Sequence, residues 1–169
     1  LSTEDELRVV IRDLAARYGV DMAALCDELC MSWEDIAELA RDPLVTIGAH
    51  SVNHYRLRKT PDRVVRAEME MSRAVIESAI GVRPDHFAYP VGDPSSAGSR
   101  EFAIAAELGF KTAVTTQPGV LFREHRNHLT ALPRISLNGE YQQLRYLGVL
   151  MSGTATAMWN GFRRGPRAA

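Results

Sequence analysis

The chain has 169 residues, 46% hydrophobic and 24% charged, with a formal net charge of -1: the composition of a globular protein long enough to bury a core. Near-neutrality excludes nucleic-acid binding driven by overall charge, and no apolar run approaches the ~18 residues of a membrane span. No stretch reads as a signal peptide, and a chain that begins at Leu1 without Met leaves its compartment open.

In chain order, Thr3-Glu4-Asp5-Glu6 has the Thr-x-x-Glu form of a capping box. Leu7, Val10, Ile11, Leu14 and Tyr18 then recur at helical spacing, and Gly19 is placed to end that helix. A second short helix is predicted after Asp21, with Met22, Leu25 and Leu29 on one face. Cys26 and Cys30 sit four apart on it and read as buried free thiols rather than a metal or redox pair. Ser32-Trp33-Glu34-Asp35 caps a third helix that turns Trp33, Ile36, Ala37 and Ala40 inward. Three short helices also fit a helix-turn-helix, but a helical insertion packed on a sheet suits the neutral charge better.

Residues 44–54 follow, Leu-Val-Thr-Ile-Gly-Ala-His-Ser-Val-Asn-His. Leu44, Val45 and Ile47, between Pro43 and Gly48, predict a buried strand. His50 and His54 come directly after it, at the rim where parallel α/β proteins place their chemistry. Two imidazoles there can converge on one divalent metal. The spacing alone also fits two surface loop histidines, and Ser51 stands where the helical zinc-protease motif needs Glu.

Next, Thr60 is placed to cap a helix and Pro61 to open it; Val64, Ala67, Met71, Val75 and Ser78 form one stripe, and Gly81 stops it. His86-Phe87-Ala88-Tyr89 is a second strand, turned by Pro90-Val91-Gly92-Asp93-Pro94. Ser99 caps a helix that buries Phe102, Ala105, Ala106 and Leu108 and ends at Gly109. Residues 110–115 and 132–137 read as a third and a fourth strand, with an exposed loop over 120–130. A last helix is predicted over 140–151 and a disordered tail over 161–169. The alternation predicts a parallel α/β fold, with too few strands for a full barrel of about 200–250 residues. One partial domain is expected over 1–160, comprising a helical segment at 1–43 and a β/α core at 44–151.

Four segments now line up with a known family. Residues 47–54, with His50-Ser51-Val52-Asn53-His54, resemble the His-Ser/Thr-x-x-His metal motif of the polysaccharide deacetylases, the NodB-homology group of carbohydrate esterase family four. Phe87-Ala88-Tyr89-Pro90-Val91-Gly92 is similar to the Phe-Ala-Tyr-Pro-x-Gly segment of one large subgroup. Residues 108–116 are similar to the strand that follows there, and Leu132-Pro133-Arg134-Ile135 to a late strand. The resemblance implies an incomplete (β/α) barrel and the removal of N-acetyl groups from an amino-sugar polymer or oligosaccharide. It implies a divalent metal, often zinc, held by one Asp and two His, here His50 and His54, with the Ser51 hydroxyl bracing the loop between them. It makes the Val91 backbone N–H an oxyanion donor, gives Tyr89, Pro90 and Val91 to the substrate turn, and puts Tyr89 and Arg134 at the rim. In that family the metal acidifies water and polarises the acetamide carbonyl, and a second Asp is the base.

Departures from the pattern shape the expectation. The family's Thr-Phe-Asp-Asp motif is absent, and no Asp-Asp pair occurs in the chain. The third ligand and the base are therefore expected upstream of residue 1 in a longer parent, and the 169 residues alone are expected to be inactive. Ala88 stands where many relatives have Arg, and Val91 replaces a frequent Tyr. The late Leu-x-His motif is not evident; His125 and His128 read as solvated loop residues, and Arg134 either acts electrostatically at the rim or forms a surface ion pair. Two other readings stand beside this one: a non-catalytic carbohydrate-binding or scaffolding module of the same fold, and a helical regulatory domain fused to a half-sheet. The expected partner is an N-acetylated carbohydrate, and an open sheet edge offers pairing to a second copy.

Overall fold

The computed structural model describes residues 4–137, 139, 143–159 and 161. The expectations for Thr3, for 140–142 and for 162–169 lie outside the described residues. Two compact units result, Leu1–Thr46 and Ile47–Ala169.

The first unit holds α1 (Glu4–Arg17), α2 (Met22–Leu29) and α3 (Trp33–Leu39). Its caps follow the sequence. Asp21 accepts from the N–H groups of Ala23 and Ala24, while Ser32 and Asp35 cap each other reciprocally. No residue of the three helices is fully buried. Cys26 and Cys30 are accordingly exposed, not buried as their spacing suggested. Helices of 14, 8 and 7 residues close over no core of their own.

The predicted strand over 44–48 does not form as a strand. The Asp42 side chain accepts from Leu44 N and its carbonyl from Val45 N, which turns the chain and leaves Leu44 93% exposed. Pairing begins only at Ala49. Its N–H donates to the His86 carbonyl at 2.8 Å, and its carbonyl accepts from Ala88 N at 2.9 Å, one parallel bridge with Phe87.

The second unit is built on β1 (His86–Ala88), β2 (Thr112–Pro118) and β3 (Leu132–Arg134), all parallel and adjacent in chain order. With α4 (Asp62–Ile80) and α5 (Ser99–Glu107) as crossovers, this is an incomplete, open α/β barrel. Phe87 and Tyr89 point the same way because they are two apart in extended chain. Their rings meet at 5.3 Å, Phe87 meets Phe110 at 5.2 Å, and Tyr89 meets Phe102 at 5.2 Å. Leu57, Val65, Met69, Ile104, Ala105 and Ala113 complete this core.

Several boundaries and faces differ from expectation. The inward face of α4 is Val65, Glu68, Met69, Ser72 and Arg73, whereas Met71 and Val75 of the expected stripe are exposed. Both stripes have helical spacing; the buried one is disguised because it carries two charged residues. The Thr60 hydroxyl donates to the Leu57 carbonyl rather than capping α4, so Pro61 occupies the cap position. In α5, Ile104 is buried and Ala106 exposed, and Gly98 rather than Ser99 precedes the helix. Phe110 is a core residue ahead of β2, which starts two residues later. The expected loop over 120–130 contains a 3₁₀ turn, Arg123–Asn127. After β3, two helices form, α6 (Leu144–Met151) and α7 (Thr154–Trp159), where one was expected. Gly153 separates them with a left-handed φ of 73°, and a Cβ there would lie 2.7 Å from the Val120 side chain. Among the described residues no helix is long and apolar enough to cross a membrane.

Candidate metal centre

The chain leaves the Ala49 bridge at the C-terminal edge of the sheet and turns sharply. Two non-glycine residues carry that turn in left-handed backbone, Ser51 at φ 62° and His54 at φ 54°. Such conformations cost of order 1–3 kcal/mol each and persist only where neighbours over-determine them. Here the Ser51 hydroxyl accepts from His54 N at 3.0 Å. The Glu68 carboxylate, reaching across from α4, accepts from Val52 N at 2.9 Å, Asn53 N at 2.7 Å and Asn53 Nδ2 at 2.6 Å.

The loop aims two imidazoles. His50 Nδ1 lies 2.8 Å from the Ala88 carbonyl at the end of β1. A carbonyl only accepts, so Nδ1 is the donor; in the neutral ring this leaves the lone pair on Nε2, the arrangement in which a histidine ligates a metal. The His50 and His54 rings are 5.0 Å apart and inclined at 72°. Two imidazoles bound through one nitrogen each at ~2.0–2.1 Å to a tetrahedral zinc would hold their ring centres roughly 5 Å apart. Both side chains are exposed, and the pair fits a divalent ion. No third His, Cys, Asp or Glu joins them among the described residues.

The second loop at this edge is the turn after β1. Tyr89 N donates to the Val114 carbonyl, and the Tyr89 side chain runs into the core, where its hydroxyl donates to the Thr130 carbonyl at 2.8 Å. Burial pushes that phenol well above its ordinary value. Tyr89 therefore shapes the turn from beneath; Pro90 is buried with it, and neither presents its ring at the rim. Val91 has φ 62°, rare for a β-branched residue. Its carbonyl accepts from Thr116 Oγ1 at 2.8 Å, and the Gly92 carbonyl accepts from Thr116 N at 2.9 Å. Among the described residues no protein acceptor takes the Val91 N–H.

Gly92 is the tightest point of this turn. Its φ is 71°, and an added Cβ would stand 2.8 Å from Thr116 N. Gly92→Ala is expected to destabilise the protein by about 1–3 kcal/mol. A urea melt monitored by circular dichroism measures it; an unchanged midpoint would show that the turn tolerates a side chain.

Of the remaining sequence candidates, Arg134 ends β3 and is exposed, and its Nε donates to the Thr115 carbonyl at 2.8 Å, at the irregularity between Val114 and Pro118. His125 is not solvated but 4% exposed, because it closes its own 3₁₀ turn. Its Nδ1 accepts from Phe122 N, and its ring stacks on Phe122. His128 is exposed. Glu68 was not foreseen; the one signal for it was a carboxylate beside Val65 and Met69 on a helix face.

A family model described as polysaccharide deacetylase matches residues 10–113, more than half of the chain. Among solved structures, the Streptococcus pyogenes deacetylase PplD in complex with acetate is 25% identical with a TM-score of 0.63, over 72% of this chain and 50% of that one. The BpsB deacetylase domain from Bordetella bronchiseptica is 23% identical with a TM-score of 0.45, over 53% of this chain and 43% of that one. This chain thus spans half the length of the PplD chain. No curated protein sequence matches it.

Proposed function

We propose, of a chain that belongs to the polysaccharide deacetylase family, that it carries the histidine half of a metal-dependent N-deacetylase site acting on an N-acetylated amino-sugar polymer or oligosaccharide. The observation that carries this reading is the His50–His54 pair, 5.0 Å apart, with His50 Nδ1 committed to the Ala88 carbonyl. His50 and His54 would hold the ion, and zinc suits two neutral imidazoles. A divalent ion there would supply an acidified water and polarisation of the acetamide carbonyl. The Val91 N–H, at the same sheet edge and free of a protein acceptor, would donate to the carbonyl oxygen as it gains negative charge. Pro90 and Val91 would set the shape of the substrate turn from the end of β1. The third ligand and the base would be an Asp-Asp pair, which these 169 residues lack.

That lack also favours a second reading, a carbohydrate-binding module of the same fold without catalysis. Acetate release from N-acetylglucosamine oligomers, assayed with zinc or cobalt on a form extended upstream to an Asp-Asp pair, separates the two. Release that is lost in His50→Ala supports the enzyme; sugar binding without release supports the module.

A further inference from the structure

We infer that Glu68 is the positioning residue of the histidine loop, holding Val52 and Asn53 from behind so that His50 and His54 converge on one ion. The inference rests on the reading of the two histidines as ligands. Glu68 projects from the inward face of α4 and is 5% exposed, flanked there by Val65 and Met69. Packing alone would favour Leu or Met at such a position, since a carboxylate removed from water is costly unless donors satisfy it. No cation pairs with it among the described residues. Its partners are instead three N–H groups at 2.6–2.9 Å, all from Val52 and Asn53, two of the three residues between the histidines. Bonds of that length to a carboxylate are the strong, charge-assisted kind.

The placement answers a specific need. The loop is strained at Ser51 and at His54, one on each side of the pair that Glu68 holds. The Ser51 hydroxyl ties only the His54 N–H. Without Glu68, Val52 N and Asn53 N would turn to water, the left-handed residues would relax, and the rings would lose their common aim. The helix core would still be filled by any apolar side chain of similar volume. Loss of convergence with retention of the fold is therefore what distinguishes positioning from packing.

The test compares zinc affinity by calorimetry, urea stability and amide exchange in this chain and in Glu68→Met, Glu68→Gln, His50→Ala and His54→Ala. In Glu68→Met, zinc affinity is expected to fall by about 10–100-fold with the fold retained, and the Val52 and Asn53 amides to exchange faster. Glu68→Gln keeps an oxygen that accepts both backbone N–H groups and is expected to recover most of that affinity. A folded Glu68→Met that binds zinc like the parent, while His50→Ala and His54→Ala do not, overturns the role of Glu68 and leaves the metal reading standing. Zinc binding that survives both histidine substitutions overturns the metal reading and this inference with it. Should Glu68→Met fail to fold, the parent decides: its Val52 and Asn53 amides are expected to be protected without metal, and rapid exchange at both overturns the inference.

Discussion

Replacing His50 or His54 with Ala is expected to lower the zinc affinity of this chain by about a hundredfold. A complete four-ligand zinc site is worth roughly 10–16 kcal/mol, so one imidazole carries roughly 3 kcal/mol, or about a factor of a hundred. The parent itself should bind weakly, because two of four positions must be filled by water or buffer. The geometry argues that both rings matter equally. Their rings stand 5.0 Å apart, the separation two imidazoles on one tetrahedral ion would have, and His50 Nδ1 is committed to the Ala88 carbonyl, which would leave Nε2 to face an ion. Calorimetric titration of zinc into the parent and the two variants measures the effect. Equal affinity in all three would mean that the two histidines are surface loop residues.

The second expected result is a rate gap. These 169 residues should release no measurable acetate from N-acetylglucosamine oligomers, and a form extended to an Asp-Asp pair should. A positioned base contributes roughly 10²–10⁴-fold. Loss of a carboxylate ligand lowers metal occupancy and multiplies that deficit. An open barrel admits water to the site, which weakens every electrostatic contact that a developing oxyanion would use, the Val91 N–H included. Turnover by the short chain that disappears in His50→Ala would show a complete site within it and would remove the argument from the missing base.

The parts legible in the sequence were those whose signals are local. Gly81 and Gly109 close their helices in left-handed backbone as their positions after α4 and α5 suggested. Phe87 and the turn at residues 90–92 were readable because extended alternation and Pro-x-Gly chemistry act over a few residues. What escaped depends on partners distant in the chain. The apolar run at 44–47 looks like a strand, but a strand needs a neighbour, and pairing with β1 begins only at Ala49. Periodicity points to the wrong face of α4 because it counts Glu68 and Arg73 as solvent-facing. Their partners lie 11 or more residues away, at Val52 and Asn53 for Glu68 and at Pro84 and Leu108 for Arg73. His125 looked solvated because nothing in a loop sequence announces that a ring will cap its own turn.

Ser51, His54 and Val91 are the three non-glycine residues with positive φ among the described residues, and all three lie in the two loops at the histidine edge. Glycine at Ser51 or Val91 would relieve the local crowding of a side chain in left-handed backbone, yet it would also let the loop wander among many shapes. Thermal robustness and accurate aim thus pull in opposite directions at the same few positions. A lineage evolving toward hotter conditions would be expected to harden α4 and the aromatic core first, and to leave these three awkward residues alone.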